Sequence, residues 1–269
     1  MQYRFGRAVA IPIVFLLALS SAASQTATYK APRTADEKPN LNGIWQALGS
    51  AHWDLEGHAA RMGPIVALGA LGAIPAGLGV VEGGEIPYKP RAAAKKQENM
   101  ENWLTLDPAV KCYMPGVPRA TYMPFPFQIV QTPTSILMAY EFASASRIIY
   151  MDRPDSEGPA DAWMGHSKGH WEGETLVIDV SSQVPDTWFD TSGNFHTDAL
   201  HVVERYTAVG PNTLMYEATI EDPNVFTRPW KISMPLYRRL EKNVQLLEFK
   251  CVEFVEELMY GHLRKKPSN

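Results

Sequence analysis

"LHVVERYTAVGPNTLMYEATIEDPNVFTRPWKISMPLY", residues 200–237, decides the fold. Its runs "LHVVERYTA", "TLMYEATIE" and "WKISMPLY" are strand-like, and turn-forming residues separate them with no helical period between. Alternation with a period of two is the mark of a strand that buries one face. The same kind of run occurs upstream in "FQIVQ", "SILMAYEFA", "SRIIYMD" and "GETLVIDV", and downstream in "QLLEFKC". The expectation is a mainly β domain, an antiparallel meander that closes as a barrel or sandwich.

Outward from this core the pattern changes. The chain opens with Arg4 and Arg7, the apolar stretch "AVAIPIVFLLAL" and the small-residue stretch "SSAAS", the three-part form of a secretory signal over residues 1–24. Its apolar run falls short of the roughly 20 residues that a membrane-spanning helix requires. Residues 25–40 read as an extended leader, and 41–269 as one domain with an insertion at about 51–110. Within that insertion "MGPIVALGALGAIPAGLGVV", residues 62–81, carries no charge, but five glycines and two prolines oppose a helix. Each interior glycine costs about 1 kcal/mol and each proline about 3. The expectation is a glycine-rich apolar loop that covers a pocket or packs on the barrel, not a membrane span. "RAAAKKQENMENW", 91–103, should form a short helix after Pro90, and "VEFVEELMYGHLRKK", 252–266, a closing C-terminal helix.

Composition excludes some classes. Loss of Arg4 and Arg7 with the signal takes the formal net charge from -4 down by two, to -6, which argues against nucleic-acid binding. No phosphate-binding glycine loop and no Gly-x-Ser-x-Gly elbow is present, so no cofactor is implied. Cys112 and Cys251 are the two cysteines; in an oxidising compartment they either bridge or stay as two buried thiols.

The stretches "KCYMPGVPRATYMPFPFQIVQ", "WMGHSKGHWEGETLVIDV", "HTDALHVVERY" and "DPNVFTRPW" resemble the signatures of a large family of exported bacterial proteins of uncharacterised function. The resemblance implies a periplasmic or secreted location but no reaction. The Gly-x-Trp of "LNGIWQ", 41–46, resembles the opening strand of lipocalin-like barrels, so a calycin-like barrel is expected by analogy.

Candidate chemistry gathers in "MGHSKGHWEGETLVIDV", residues 164–180. A two-residue turn at Glu172-Gly173 would set His166 opposite Asp179 and His170 opposite Thr175. A carboxylate opposite an imidazole orients the ring and raises its basicity, as a general base requires. His166, Asp179 and His170, with His196 or Glu204 approaching from neighbouring elements, are therefore the candidate catalytic residues. The bland alternative is a solvated polar face. Glu204 and Tyr206 should share a face that His201 and Arg205 do not, with Arg205 pairing Glu217 and Glu141 pairing Arg147 across hairpins. No metal is expected at His166 and His170, since on a strand they stand about 13 Å apart; a site joining His166 to His196 or His201 stays open.

The leading expectation is an exported barrel that binds a small apolar or aromatic molecule, with metal-independent acid–base chemistry (isomerase, hydratase or lyase) as its catalytic form. A non-catalytic carrier of a hydrophobic ligand and an envelope interaction protein are the alternatives.

Overall fold

A computed structural model of the protein describes residues 29–153, 158 and 160–263, so the expected signal segment lies outside the described residues. Nine strands close into one barrel in chain order: β1 (Gly43–Ala47), β2 (Phe127–Gln131), β3 (Ser135–Tyr140), β4 (Ser146–Tyr150), β5 (His166–Glu172), β6 (Thr175–Ser181), β7 (His201–Gly210), β8 (Thr213–Glu221) and β9 (Trp230–Arg238). Closure comes from β1 pairing with β9. The architecture is consistent with a calycin-like barrel.

Alternation explains why the sheet curls on itself. In β7 the side chains of Val202, Glu204, Tyr206 and Ala208 point inward, and in β8 Leu214, Tyr216, Ala218 and Ile220 do the same. One continuous apolar face can be removed from water only by wrapping it round, and closure also leaves no unpaired edge. Trp45 and Arg238 secure the seam between β1 and β9. The Arg238 guanidinium lies 4.1 Å from the Trp45 ring centroid, and its Nη1 donates to the Asn42 carbonyl at 2.6 Å. Gly43 makes room for this, because a Cβ there would stand 2.0 Å from Arg238 Nη1. The Gly-x-Trp signal is thus a packing requirement: no side chain at one position, an indole two residues on.

Between β1 and β2 the chain leaves the barrel over residues 48–126 and forms α1 (Pro90–Glu101), α2 (Trp103–Leu106) and α3 (Arg119–Tyr122). The glycine-rich segment is a loop with a short 3-10 turn at Val66–Gly72, and no helix among the described residues is long and apolar enough to cross a membrane. At the other end α4 (Val255–Tyr260) closes the described chain.

Three expectations need correction. "QLLEFKC" is not a strand but an irregular segment, because β1 already occupies the free edge of β9. The meander is antiparallel except at β4 and β5, which pair in parallel, Ile149 with Ser167 and Tyr150 with Lys168. The β5–β6 hairpin turns at Gly173-Glu174, one residue later than expected. Gly173 has φ +59° while Glu174 is not in the positive region, the type II′ pattern with glycine at the first central position. The expected turn would have forced Glu172 into that conformation, which L side chains resist.

Candidate functional site

The turn correction separates the proposed catalytic pair. His166 stands opposite Ser181, and Asp179 opposite Lys168 on one side and Val203 on the other. The His166 ring stacks on Tyr150 with centroids 5.5 Å apart. Asp179 instead accepts from Nε2 of His201 at 2.8 Å, which holds its carboxyl below the usual range and His201 above its own. Both are partly exposed, and such surface pairs contribute only about 0 to 1 kcal/mol. His170 is exposed, its Nε2 3.2 Å from Glu172 Oε1.

His196 and Glu204 lie elsewhere. His196 is buried, its Nδ1 donating to the Thr197 carbonyl at 2.8 Å and its Nε2 2.6 Å from the Thr187 hydroxyl, and burial lowers its pKa. That geometry fixes a neutral ring with Nε2 as acceptor. Glu204 lies inside the barrel, where Oε2 accepts from Arg147 at 2.6 Å and Oε1 from Tyr216 at 2.8 Å and Tyr206 at 3.0 Å. Arg147 also donates to the Tyr140 hydroxyl at 3.0 Å. Two further pairings differ from expectation: Glu141 accepts from the Leu247 amide, and Arg205, although opposite Glu217, binds Glu172 at 2.9 Å. The five candidates are therefore dispersed over the outer face, a loop and the interior. No group of three or more His, Cys, Asp or Glu that could hold a metal occurs among the described residues.

A cavity of about 620 Å³ does form, where β1 and β9 part. Beyond Ala47 the chain turns away, and the exposed edge of β9 is taken over by residues 80–82: Ser233 donates to the Val80 carbonyl and Glu82 to that of Lys231. The space between the departing and arriving segments is roofed by residues 75–79 of the glycine-rich loop. That loop doubles back through bridges from His58 to Gly77 and Arg61 to Ile74. Gly79, at φ +79°, is required here, since a Cβ would meet the Gly57 nitrogen at 2.5 Å. Leu48, Pro75, Leu78, Val80, Met234 and Pro235 make the walls apolar, and Asp54 supplies the carboxylate.

Behind Asp54 stands Asp190, fully buried. Ser192 donates to Asp54 Oδ2 at 2.7 Å and is itself held by Arg61 at 3.0 Å. Asp190 accepts from the Leu55 amide at 2.9 Å and from Asn194 through Nδ2 at 2.6 Å and its amide at 3.2 Å. Those N–H groups favour the carboxylate, but burial and the negative charge of Asp54 outweigh them and raise Asp190 to about 7. Two acids that cannot both ionise freely hold a proton near neutral pH.

A stability consequence follows from that proton. Asp190 binds its proton up to about pH 7 in the folded chain but only to about 3.8 when unfolded. Its contribution is therefore complete at low pH and is lost as pH rises through 7, up to about 4 kcal/mol in all. His52, lowered to about 4 by burial and by Arg119, has the opposite slope below pH 6.5, so the wild type alone would conceal the effect. Compared with wild type, Asp190→Asn should gain relative stability steadily from pH 4 to 7 and no further above it. Thermal melts of both proteins across that range check this, and a constant difference would refute it.

Asp54 and Asp190 escape sequence reading because nothing in "HWDLEG" or "FDTSGN" marks an acid as buried. A usable signal is the density of small polar residues in "DTSGN", which supplies donors to its own aspartate. No protein-family model and no curated protein matches this chain.

Proposed function

We propose that this chain is exported and binds a small apolar or aromatic molecule beneath the glycine-rich loop, where Asp54, backed by Asp190, moves a proton to or from it. The observation carrying this reading is the buried carboxyl pair at an apolar-walled cavity of about 620 Å³, a size suited to a small organic ligand. Isomerisation, hydration and elimination all demand a proton transfer; Asp54 is the acid that lines the cavity, and Asp190, raised to about 7 by burial and by the charge of Asp54, keeps a proton behind it at neutral pH. The disulfide between Cys112 and Cys251 and the resemblance to exported proteins support the location.

Mass spectrometry of small molecules that copurify with the protein should identify an apolar ligand, absent from Ala76→Trp, in which an indole fills the cavity rim. With that ligand as substrate, Asp54→Asn should lower turnover by about 10² to 10⁴-fold, the usual share of a general acid or base. Retention of the ligand with no turnover by wild type would leave a carrier and reject the catalytic reading. Equal recovery from both proteins would reject the site.

A further inference from the structure

The seam between β1 and β9 uses only part of Arg238. One face of the guanidinium lies on the Trp45 ring and Nη1 donates to the Asn42 carbonyl, which leaves the Nε–Nη2 edge with no partner among the described residues. Both atoms of that edge keep accessible surface. Arg238 lines a pocket of about 310 Å³ between the leader, β1 and the β7–β8 hairpin, which shares no lining residue with the Asp54 cavity. With one face on the indole and Nη1 on a carbonyl, the Nε–Nη2 edge is the polar surface that Arg238 can offer to this pocket.

The charge on Arg238 is uncompensated. Arg33, Arg119, Arg147, Arg205 and Arg239 each meet a carboxylate, whereas no described acid forms an ion pair with Arg238. Burial lowers its pKa, and the one titratable group among the described residues that acts the other way is the Tyr29 phenol. A half-buried cation without a counter-ion has given up hydration with no anion to offset the loss. The lining holds no other charged side chain. It does hold a neutral donor. Asn40 Oδ1 accepts from the Asn42 amide at 3.0 Å and from Asn42 Nδ2 at 2.9 Å, which fixes Asn40 Nδ2 as the end with no partner among the described residues.

We propose that this pocket binds a small monocarboxylate with an apolar body, its two oxygens accepting from Arg238 Nε–H and Nη2–H. A guanidinium edge presents two parallel N–H groups at the spacing of carboxylate oxygens. A single negative charge follows from the single cation, since a phosphate dianion would bring a second charge that nothing in the lining meets. Ala31, Pro32, Ala208, Pro211 and Leu214 make the rest of the wall apolar, as the body of such an acid requires. Trp45 and Asn42 already hold the guanidinium in place, so little side-chain freedom is lost on binding.

Isothermal titration calorimetry of the unaltered protein tests this with two probes of like shape, benzoate and its neutral counterpart benzamide. Benzoate should bind saturably and at least about tenfold more tightly, as hydrogen bonds to a charged group are the stronger ones. In 15N spectra of arginine-labelled protein the Arg238 Nε–H signal should move with benzoate and stay with benzamide. Arg238→Lys, which keeps the charge and loses the fork, should weaken benzoate binding by about tenfold or more, while Ala76→Trp at the other cavity should leave it unchanged. Should Arg238→Lys fail to fold, the Nε–H signal of the unaltered protein carries the assignment. Equal affinity for the two probes would overturn the proposal, as would absence of saturable benzoate binding or binding that leaves the Arg238 Nε–H signal unmoved. Loss of benzoate binding in Ala76→Trp would place the ligand in the other cavity, and inorganic phosphate binding more tightly than benzoate would overturn the ligand class.

Discussion

Glu204→Gln should destabilise the barrel by about 3 to 5 kcal/mol, the typical cost of leaving one partner of a buried ion pair alone. Glutamine keeps the shape and an acceptor for Tyr216, so the loss isolates the charge. Arg147 is then left cationic in the interior, with burial acting against it and only neutral Tyr140, Tyr206, Ser167 and Met138 around it. In the native chain the Glu204 carboxylate and the tyrosine hydroxyls more than offset that burial and hold Arg147 well above the ordinary arginine range. The tyrosines are themselves pushed up, first by burial and then by Glu204, so they stay neutral donors. Denaturant unfolding of Glu204→Gln, Arg147→Met and the Arg147→Met/Glu204→Gln pair checks the argument. The double variant should lose far less than the two single losses together, since no charge is stranded. Additive losses would mean that the two groups do not form one unit.

The second large effect concerns the bridge. Cys112 and Cys251 are 139 residues apart in sequence, with Cα atoms 5.7 Å apart. Closing a loop of that length removes unfolded-state entropy worth roughly 5 kcal/mol in the chain-entropy model. Cys112→Ser/Cys251→Ser should therefore lower unfolding stability by up to about 5 kcal/mol. The loss should appear first in the tail, because β9 ends at Arg238 and, past the Arg239 amide bonded to the Ile44 carbonyl, residues 240–254 belong to no strand. Hydrogen exchange should show residues 247–257 opening while β7 and β8 keep their protection. Uniform loss of protection across the barrel would contradict that order.

How much of this was legible depends on whether the cause is local. The strands of the barrel are, because alternation in "LHVVERYTA" and "TLMYEATIE" states which side chains face inward, and Glu204 and Tyr206 share that face as expected. Ion pairing is not. Sequence proximity pairs Arg147 with Glu141 across its own turn, but closure of the barrel brings β4 and β7 face to face and supplies Glu204. The hairpin at Gly173 was displaced for a reason local to one residue: glycine takes the positive φ. A rule placing glycine at the first central position would have moved Asp179 from His166 to Lys168. The glycine-rich segment is legible as a loop, since its composition opposes a helix, but that it covers a cavity rather than packs on the barrel is not. What lies beneath it is not either, because Asp54 and Asp190 meet only after the insertion folds back along β9.

The central claim, that the cavity under this loop stores a proton on a buried carboxyl pair, has a direct measurement. Aspartate 13Cγ shifts followed by NMR from pH 3 to 9, in wild type and in Asp54→Asn, report each carboxyl separately. The account predicts one buried carboxyl, Asp190, with a midpoint at about 7 in wild type, moving down once the neighbouring charge is removed. Complete ionisation of every aspartate by pH 5, or a midpoint at about 7 that Asp54→Asn leaves unmoved, would contradict it.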